Sequence, residues 1–440
     1  MILGRKFLEG YDDLKKKLLF ILGAIIIYRF GSFIPLPGVN VAAVSGFLDS
    51  TGGITDFLNM FTGGSLGRMT IFTLNIFPYI TSSIIISLLV VISPKLKALR
   101  KDGEAGRIKI NQYTRYLTVL VCTIQAFGVA VGLENLSGEF GTAVVNAGPV
   151  FRMTTVITLL GGSILIMWIA EQMTQKGLGQ GASMILTVGI ISMFPSTLFK
   201  IISLLQSGQM SLFTIIALAL IAIAMIAFVV FIETSQRRIP IYYPRHLNAQ
   251  TAPQQNKSSY LPLKVNMSGV MGPVFASSIM MAPVAFLQMF PSESSSFRFF
   301  KELLAYASPT YILLFAFFIT VFAFLYTSVI SNSKDMSEQL AQSGAYIPGV
   351  RPGINTEGFL KLTSNKLTVI GSLYLVLLCI SPIILSQKEG FAFVLGGTTV
   401  LILANVILDF VTQLQTYLQA YSYKNVFKQT QKKKRFVQRI

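Results

Sequence analysis

Apolar runs of about 20 residues, long enough to cross a hydrocarbon core of roughly 30 Å as helices, recur along the whole chain. Short stretches rich in charge, glycine and proline separate them. This punctuation predicts spans over 17–34, 73–93, 114–133, 152–172, 183–202, 212–232, 268–290, 308–330, 367–385 and 392–418. Unpaired backbone groups are costly in lipid, so spanning segments are helices or closed barrels, and these runs lack the alternation of barrel strands. The expected fold class is an all-α polytopic membrane protein with ten transmembrane helices.

Composition agrees with that pattern. The 440 residues are 52% hydrophobic and 12% charged, about half the charged share of roughly 25% typical of soluble domains. A soluble enzyme with one anchor is excluded. The first run follows a basic start but has no small-residue cleavage site and leads into many later spans, so it is expected to be retained.

An even number of spans puts both termini on one side, and the distribution of Lys and Arg says which. Most of the 36 basic residues fall on the N-terminus, the four even-numbered loops and the tail; the opposite side holds Arg68, Arg152, Lys200, Arg298, Lys301 and Lys388, with Arg29 inside the first span. By the positive-inside rule both termini are cytoplasmic. Two cytoplasmic segments, 233–264 and 331–366, are long and polar, and a basic tail over 421–440 carries Lys432, Lys433, Lys434 and Arg435. The tail fits a topology signal or anionic lipid. The long loops are large enough to project and dock a partner such as ribosomal RNA or a cytosolic motor.

Little in the chain suggests covalent chemistry. GxxxxGK[ST], GxSxG and HExxH are all absent, so no hydrolysis of a nucleotide or peptide bond is indicated and the chain is read as not an enzyme. Cys122 and Cys379 lie in separate apolar segments with no CxxC, as packing thiols do. The single histidine, His246, sits in a polar loop. No cofactor and no metal are expected. Ionisable residues in the spans are few: Arg29 and Asp409, with Glu171 and Glu233 near the cytoplasmic ends. That scarcity argues against a proton or cation relay. A secondary transporter of a small solute stands as the alternative from another class.

The stretch Phe57-Leu-Asn-Met-Phe-Thr-Gly-Gly-Ser-Leu-Gly-Arg-Met-Thr-Ile-Phe72 is too apolar for solvent and too broken to span. Gly63, Gly64 and Gly67 permit tight bends, so it reads equally as a short helix folded into an internal cavity or as an interfacial helix. Ile80 with Ile84, and Ala182 with Leu186, stand at helical spacing. Such residues pack by default; facing a cavity they form a hydrophobic constriction that blocks ions by dewetting.

Several motifs, in order, resemble the SecY family. They are Arg29-Phe-Gly-Ser-Phe-Ile-Pro-Leu-Pro-Gly38, Pro78-Tyr-Ile-Thr-Ser-Ser-Ile-Ile-Ile86, Gln112-Tyr-Thr-Arg-Tyr116, Trp168-Ile-Ala-Glu-Gln172 and Gly177-Leu-Gly-Gln-Gly181. Further along come Gln236-Arg-Arg238, Leu261-Pro-Leu-Lys-Val-Asn-Met267, Phe275-Ala-Ser-Ser278 and Pro348-Gly-Val-Arg-Pro-Gly353.

The resemblance implies two pseudo-symmetric halves, 1–205 with spans one to five and 206–420 with spans six to ten, around an hourglass pore. The function it implies is the central channel of the Sec translocon, passing unfolded secretory proteins across the membrane and releasing membrane-protein helices laterally into lipid. It makes 57–70 the plug, with Phe57, Gly63, Gly64, Gly67 and Arg68 as its marked residues. It places the pore ring at Ile80, Ile84, Ala182, Leu186, Val274 and Ile407, where Ala182 is smaller than the expected isoleucine. The lateral gate falls between spans two and three and spans seven and eight, with Ser87, Gln125 and Asn266 as polar members; Ser87 replaces a common glutamine. Arg237 and Arg238 match a ribosome-docking loop, Arg351 a position that engages the ATPase SecA, and Tyr423 the same surface. Implied partners are SecE and SecG-like subunits, SecA, the ribosome, signal sequences, unfolded polypeptide and membrane lipid. The implied location is the bacterial cytoplasmic (inner) membrane.

Overall fold

A computed structural model describes residues 2–51, 59, 62–135, 137–138, 141–208, 211–242, 259–289, 308–389 and 396–437. In chain order its helices are α1 (Ile2–Gly31), α2 (Val41–Thr51), α3 (Phe77–Ile92), α4 (Pro94–Lys101), α5 (Glu104–Asn135), α6 (Pro149–Lys176) and α7 (Gly181–Gln206). These are followed by α8 (Leu212–Thr234), α9 (Met271–Met289), α10 (Pro309–Ile330), α11 (Ser333–Gln342), α12 (Ile354–Glu389) and α13 (Gly397–Val437). Two small antiparallel hairpins complete the described elements: β1 (Ser137–Gly138) with β2 (Gly141–Thr142), and β3 (Gln236–Ile241) with β4 (Ser259–Lys264).

Each of the ten expected spans falls on a helix: α1, α3, α5 to α10, α12 and α13. Among the described residues, seven helical stretches are long and apolar enough to cross a membrane, and up to eight if the bent pair α3 and α4 counts as one. The fold is all-helical and polytopic. α8 is the plainest lipid-facing case, with only Val229 and Glu233 buried along its 23 residues. The 98° bend between α3 and α4 has a local cause. Pro94 lacks a donor and excludes helical backbone from the residue before it, and Ser93 is extended at φ −89 and ψ 120.

Several helices outrun their apolar stretches. α5 begins at Glu104, α12 at Ile354, and α13 continues to Val437. Hydropathy marks where lipid is, whereas a helix continues into water until something caps or breaks it. The segment 331–366, read from sequence as a polar loop, is therefore largely folded into α11 and the first turns of α12. The segment 233–264 folds in part into the β3–β4 hairpin; its residues 243–258, including His246, lie outside the described residues.

The chain divides into two compact units. One comprises Met1–Ser83, Asn111–Lys200 and Ile402–Ile440, the other Ile84–Ile110 and Ile201–Leu401. In the first, Leu36, Val44, Met69, Leu133, Phe151 and Leu159 belong to one buried apolar cluster. A bidentate fork joins two motifs there: Arg115 donates from Nε (3.0 Å) and Nη2 (2.6 Å) to the Glu171 carboxylate. In the second, α9 packs on α10 through Phe275, whose ring meets those of Phe322 and Tyr326 edge-on at 5.8 Å each. Cys122 and Cys379 are buried and free, one in each unit.

Candidate functional site

The glycine segment after α2 is a run of tight turns over 62–76 rather than a regular helix. Gly63 (φ 66), Gly64 (φ 83), Met69 (φ 40) and Asn75 (φ 49) all take left-handed backbone, which no continuous right-handed helix accommodates. Thr62, Gly63, Gly64, Ser65, Met69 and Thr70 are nonetheless buried, so the polar backbone needs partners. Side chains supply them: Asn59 Oδ1 accepts from Gly67 N–H (2.9 Å), and Thr73 Oγ1 donates to the Thr70 carbonyl (2.6 Å). Phe57 lies outside the described residues.

Two neighbours lock the segment in place within its unit. A Cβ on Gly63 would stand 2.9 Å from both Gly189 Cα and Ser192 Oγ of α7, so the turn lies backbone to backbone on that helix. On the other side it meets the chain after α1, where Leu36 N–H donates to the Met69 carbonyl (2.8 Å) and Ile71 N–H to the Ile34 carbonyl (3.0 Å). Arg68 donates from Nε to the Gly64 carbonyl and from Nη2 to the Gly63 carbonyl, both at 3.1 Å, and Arg29 Nη1 reaches the same Gly63 oxygen at 3.4 Å. Both guanidinium groups also face the Phe33 ring, at 4.3 Å for Arg68 and 5.3 Å for Arg29. Burial, and after it the charge of Arg29, pull the Arg68 pKa below the ordinary guanidinium value.

The six aliphatic positions distribute over both units. Ile80 on α3, Ala182 and Leu186 on α7 and Ile407 on α13 belong to the first, Ile84 on α3 and Val274 on α9 to the second. Ile80, Ala182, Leu186 and Val274 are buried, Ile84 is half-buried, and Ile407 is 50% exposed. Among the polar positions, Ser87 and Gln125 are half-buried on α3 and α5. Asn266 is buried just before α9, where its Nδ2 donates to Glu233 Oε1 at 2.6 Å.

The basic positions sit on a folded platform of the second unit. Arg237 and Arg238 are exposed on β3, while Ile239 and Ile241 point inward; the Arg238 guanidinium lies 4.9 Å over the Tyr260 ring. Tyr242 and Tyr346 exchange backbone hydrogen bonds (3.0 and 2.9 Å) and stack their rings at 6.2 Å. That bridge ties the hairpin to the turn carrying Arg351, which is exposed and whose carbonyl accepts from Thr356 Oγ1 (3.0 Å). Ile239, Leu263, Ile347, Leu360 and Leu367 form a buried cluster beneath. Tyr423 lies on α13 with its side chain outside the described residues.

Three contacts carry no signal in local sequence pattern: Glu233 to Asn266, the Tyr242–Tyr346 bridge, and Gln413, whose Oε1 accepts from Gly179 N–H at 2.6 Å. The alternation of β3, with Ile239 and Ile241 between exposed residues, and of β4, with Leu261 and Leu263 between exposed residues, was a readable clue to the hairpin. Among the described residues no group of His, Cys, Asp and Glu is arranged to hold a metal ion.

Comparison with known proteins addresses the arrangement as a whole. The family model SecY matches residues 70–411. Protein translocase subunit SecY of Rickettsia felis is 42% identical over 423 residues, covering 96% of this chain and 98% of the relative. The subunit of the same name from Escherichia coli is 38% identical over 423 residues, covering 95% of each. A solved protein conducting channel superimposes with a TM-score of 0.67 at 17% identity, over 93% of both chains. A SecY structure whose plug domain is described as stabilising the closed state and maintaining a membrane seal gives 0.66 at 19% identity, again over 93% of both. With a family model across most of its length and relatives at this identity across nearly all of it, the chain belongs to the SecY family of protein translocase subunits.

Proposed function

We propose that this multi-pass chain conducts unfolded polypeptides through a pore lined by Ile80, Ile84, Ala182, Leu186, Val274 and Ile407, stoppered at rest by 57–70. The halves 1–205 and 206–420 flank that pore. Polypeptide translocation is the family's function. The observation that carries it is the burial of a glycine-turned, non-helical segment against α7. Irregular backbone in a membrane protein is tolerated only where protein or a water-filled cavity surrounds it, and a stopper needs a seat it can leave. Among the described residues, carbonyl and ring contacts hold it.

Both termini and the platform face the cytoplasm, on the distribution of basic residues. Arg237 and Arg238 offer exposed cations to ribosomal RNA phosphates, the exposed Arg351 together with Tyr423 engages SecA, and SecE and SecG-like subunits complete the complex. Ser87, Gln125 and Asn266 are polar members of the lateral gate, whose opening releases signal sequences and apolar helices into lipid. The membrane is the bacterial cytoplasmic membrane. Branched aliphatic side chains make no directional bonds, so the ring fits diverse substrates and resists ion leakage. No observation favours a small-solute transporter.

Deleting residues 62–70 tests the stopper. In planar bilayers the deletion is expected to raise the ion conductance of the idle complex several-fold over the intact chain, and equal conductance would remove the segment from that role.

A further inference from the structure

The two strands of the basic hairpin converge on one buried side chain. The β3–β4 ladder ends at the pair Gln236 and Lys264, and Val265 N–H continues it by donating to the Ser235 carbonyl at 3.2 Å. Asn266 closes it, with Nδ2 donating to Glu233 Oε1 at 2.6 Å. Glu233 is 6% exposed in the last turn of α8, and Asn266 is 3% exposed. Groups so buried are costly unless hydrogen-bonded, so each holds the other in place.

The same amide also begins α9. Asn266 Oδ1 accepts from Ser268 Oγ (2.9 Å) and Gly269 N–H (3.1 Å), and Nδ2 reaches the Gly269 carbonyl at 3.3 Å. This is the side-chain turn by which asparagine redirects a backbone, and it leads directly to Met271. α12 confines the junction from a third direction: a Cβ on Gly371 would stand 2.9 Å from the Val265 carbonyl oxygen and 3.4 Å from Asn266 Cα. The 265–266 peptide is therefore packed in and anchored at both ends.

We propose that Glu233 is a positioning residue: by clasping Asn266 it makes the basic hairpin and the first turn of α9 move as one piece. A partner that loads Arg237 and Arg238 then loads the start of α9 through Ser235, Val265 and Asn266. The consequence for gating rests on the reading of α9 as a gate wall and of the hairpin as a docking surface. The clasp itself does not.

Hydrogen exchange on the full-length chain, assembled with its partner subunits in lipid nanodiscs, reads the coupling. Glu233→Ala leaves the Asn266 amide without this acceptor, and exchange over both 259–264 and 271–280 is expected to accelerate about tenfold, the cost of depriving a buried amide of one acceptor. Glu233→Gln keeps an acceptor oxygen and stays near the parent. Asn266→Asp sets two carboxyl groups against each other and behaves like Glu233→Ala. Combining Asn266→Asp with Glu233→Gln reverses donor and acceptor and restores most of the slow exchange in both segments, short of the Nδ2 contact to the Gly269 carbonyl that an aspartate cannot make. Acceleration confined to one segment, or failure of the reversed pair to restore protection, would overturn the clasp. Idle-channel conductance of the same variants keeps the two readings apart: coupled exchange with unaltered conductance upholds the clasp and removes α9 from the gate.

Discussion

The guanidinium of Arg29 stands within a helix that is otherwise apolar over its second half, a placement that is expensive unless the charge finds acceptors. It finds the Gly63 carbonyl and the Phe33 ring, in company with Arg68. Sequence alone marks Arg29 as unusual but not its partner, because the pairing depends on how the turns over 62–76 fold. Asn266 is similar. Its polarity was legible, whereas its bond to Glu233 exists only because the hairpin register returns the chain to the end of α8. For the aliphatic positions the reverse holds: helical spacing of Ile80 with Ile84 and of Ala182 with Leu186 was evident, and burial alone does not separate a packing role from a lining one. Function does. Replacing Ile84 and Ile407 together with Asn should wet the constriction and raise ion conductance in planar bilayers several-fold. Unchanged leak would take both residues out of the ring.

At the scale of elements, apolar runs located the spans but not the ends of the helices. The runs report contact with lipid, and the backbone of α12 and α13 stays helical well beyond it. The cytoplasmic platform was the least legible element, since its pieces are distant in sequence: a hairpin, a short helix and the start of α12 meet over Leu263, Ile347 and Leu360. Leu360 is 2% exposed. Truncating such a side chain removes transfer energy and leaves a cavity, so Leu360→Ala should destabilise the platform by about 2 to 5 kcal/mol. Limited proteolysis would detect this as faster cleavage around the hairpin while the membrane-embedded helices stay protected. Resistance equal to the parent would show that the cluster does not hold the platform together.

For the whole molecule, the charge asymmetry, the family match and the polytopic helical fold point the same way. A net charge of +18 suits docking to polyanionic or acidic partners and adds little to the fold itself. The central claim is that this chain passes polypeptide when a motor docks on the platform. Transport of a radiolabelled preprotein into proteoliposomes holding this chain with SecE and SecG, supplied externally with SecA and ATP, tests it most directly. The account predicts protease-protected preprotein with the parent chain and its loss with Arg351→Glu; absence of protection in a verified, correctly oriented complex would contradict it.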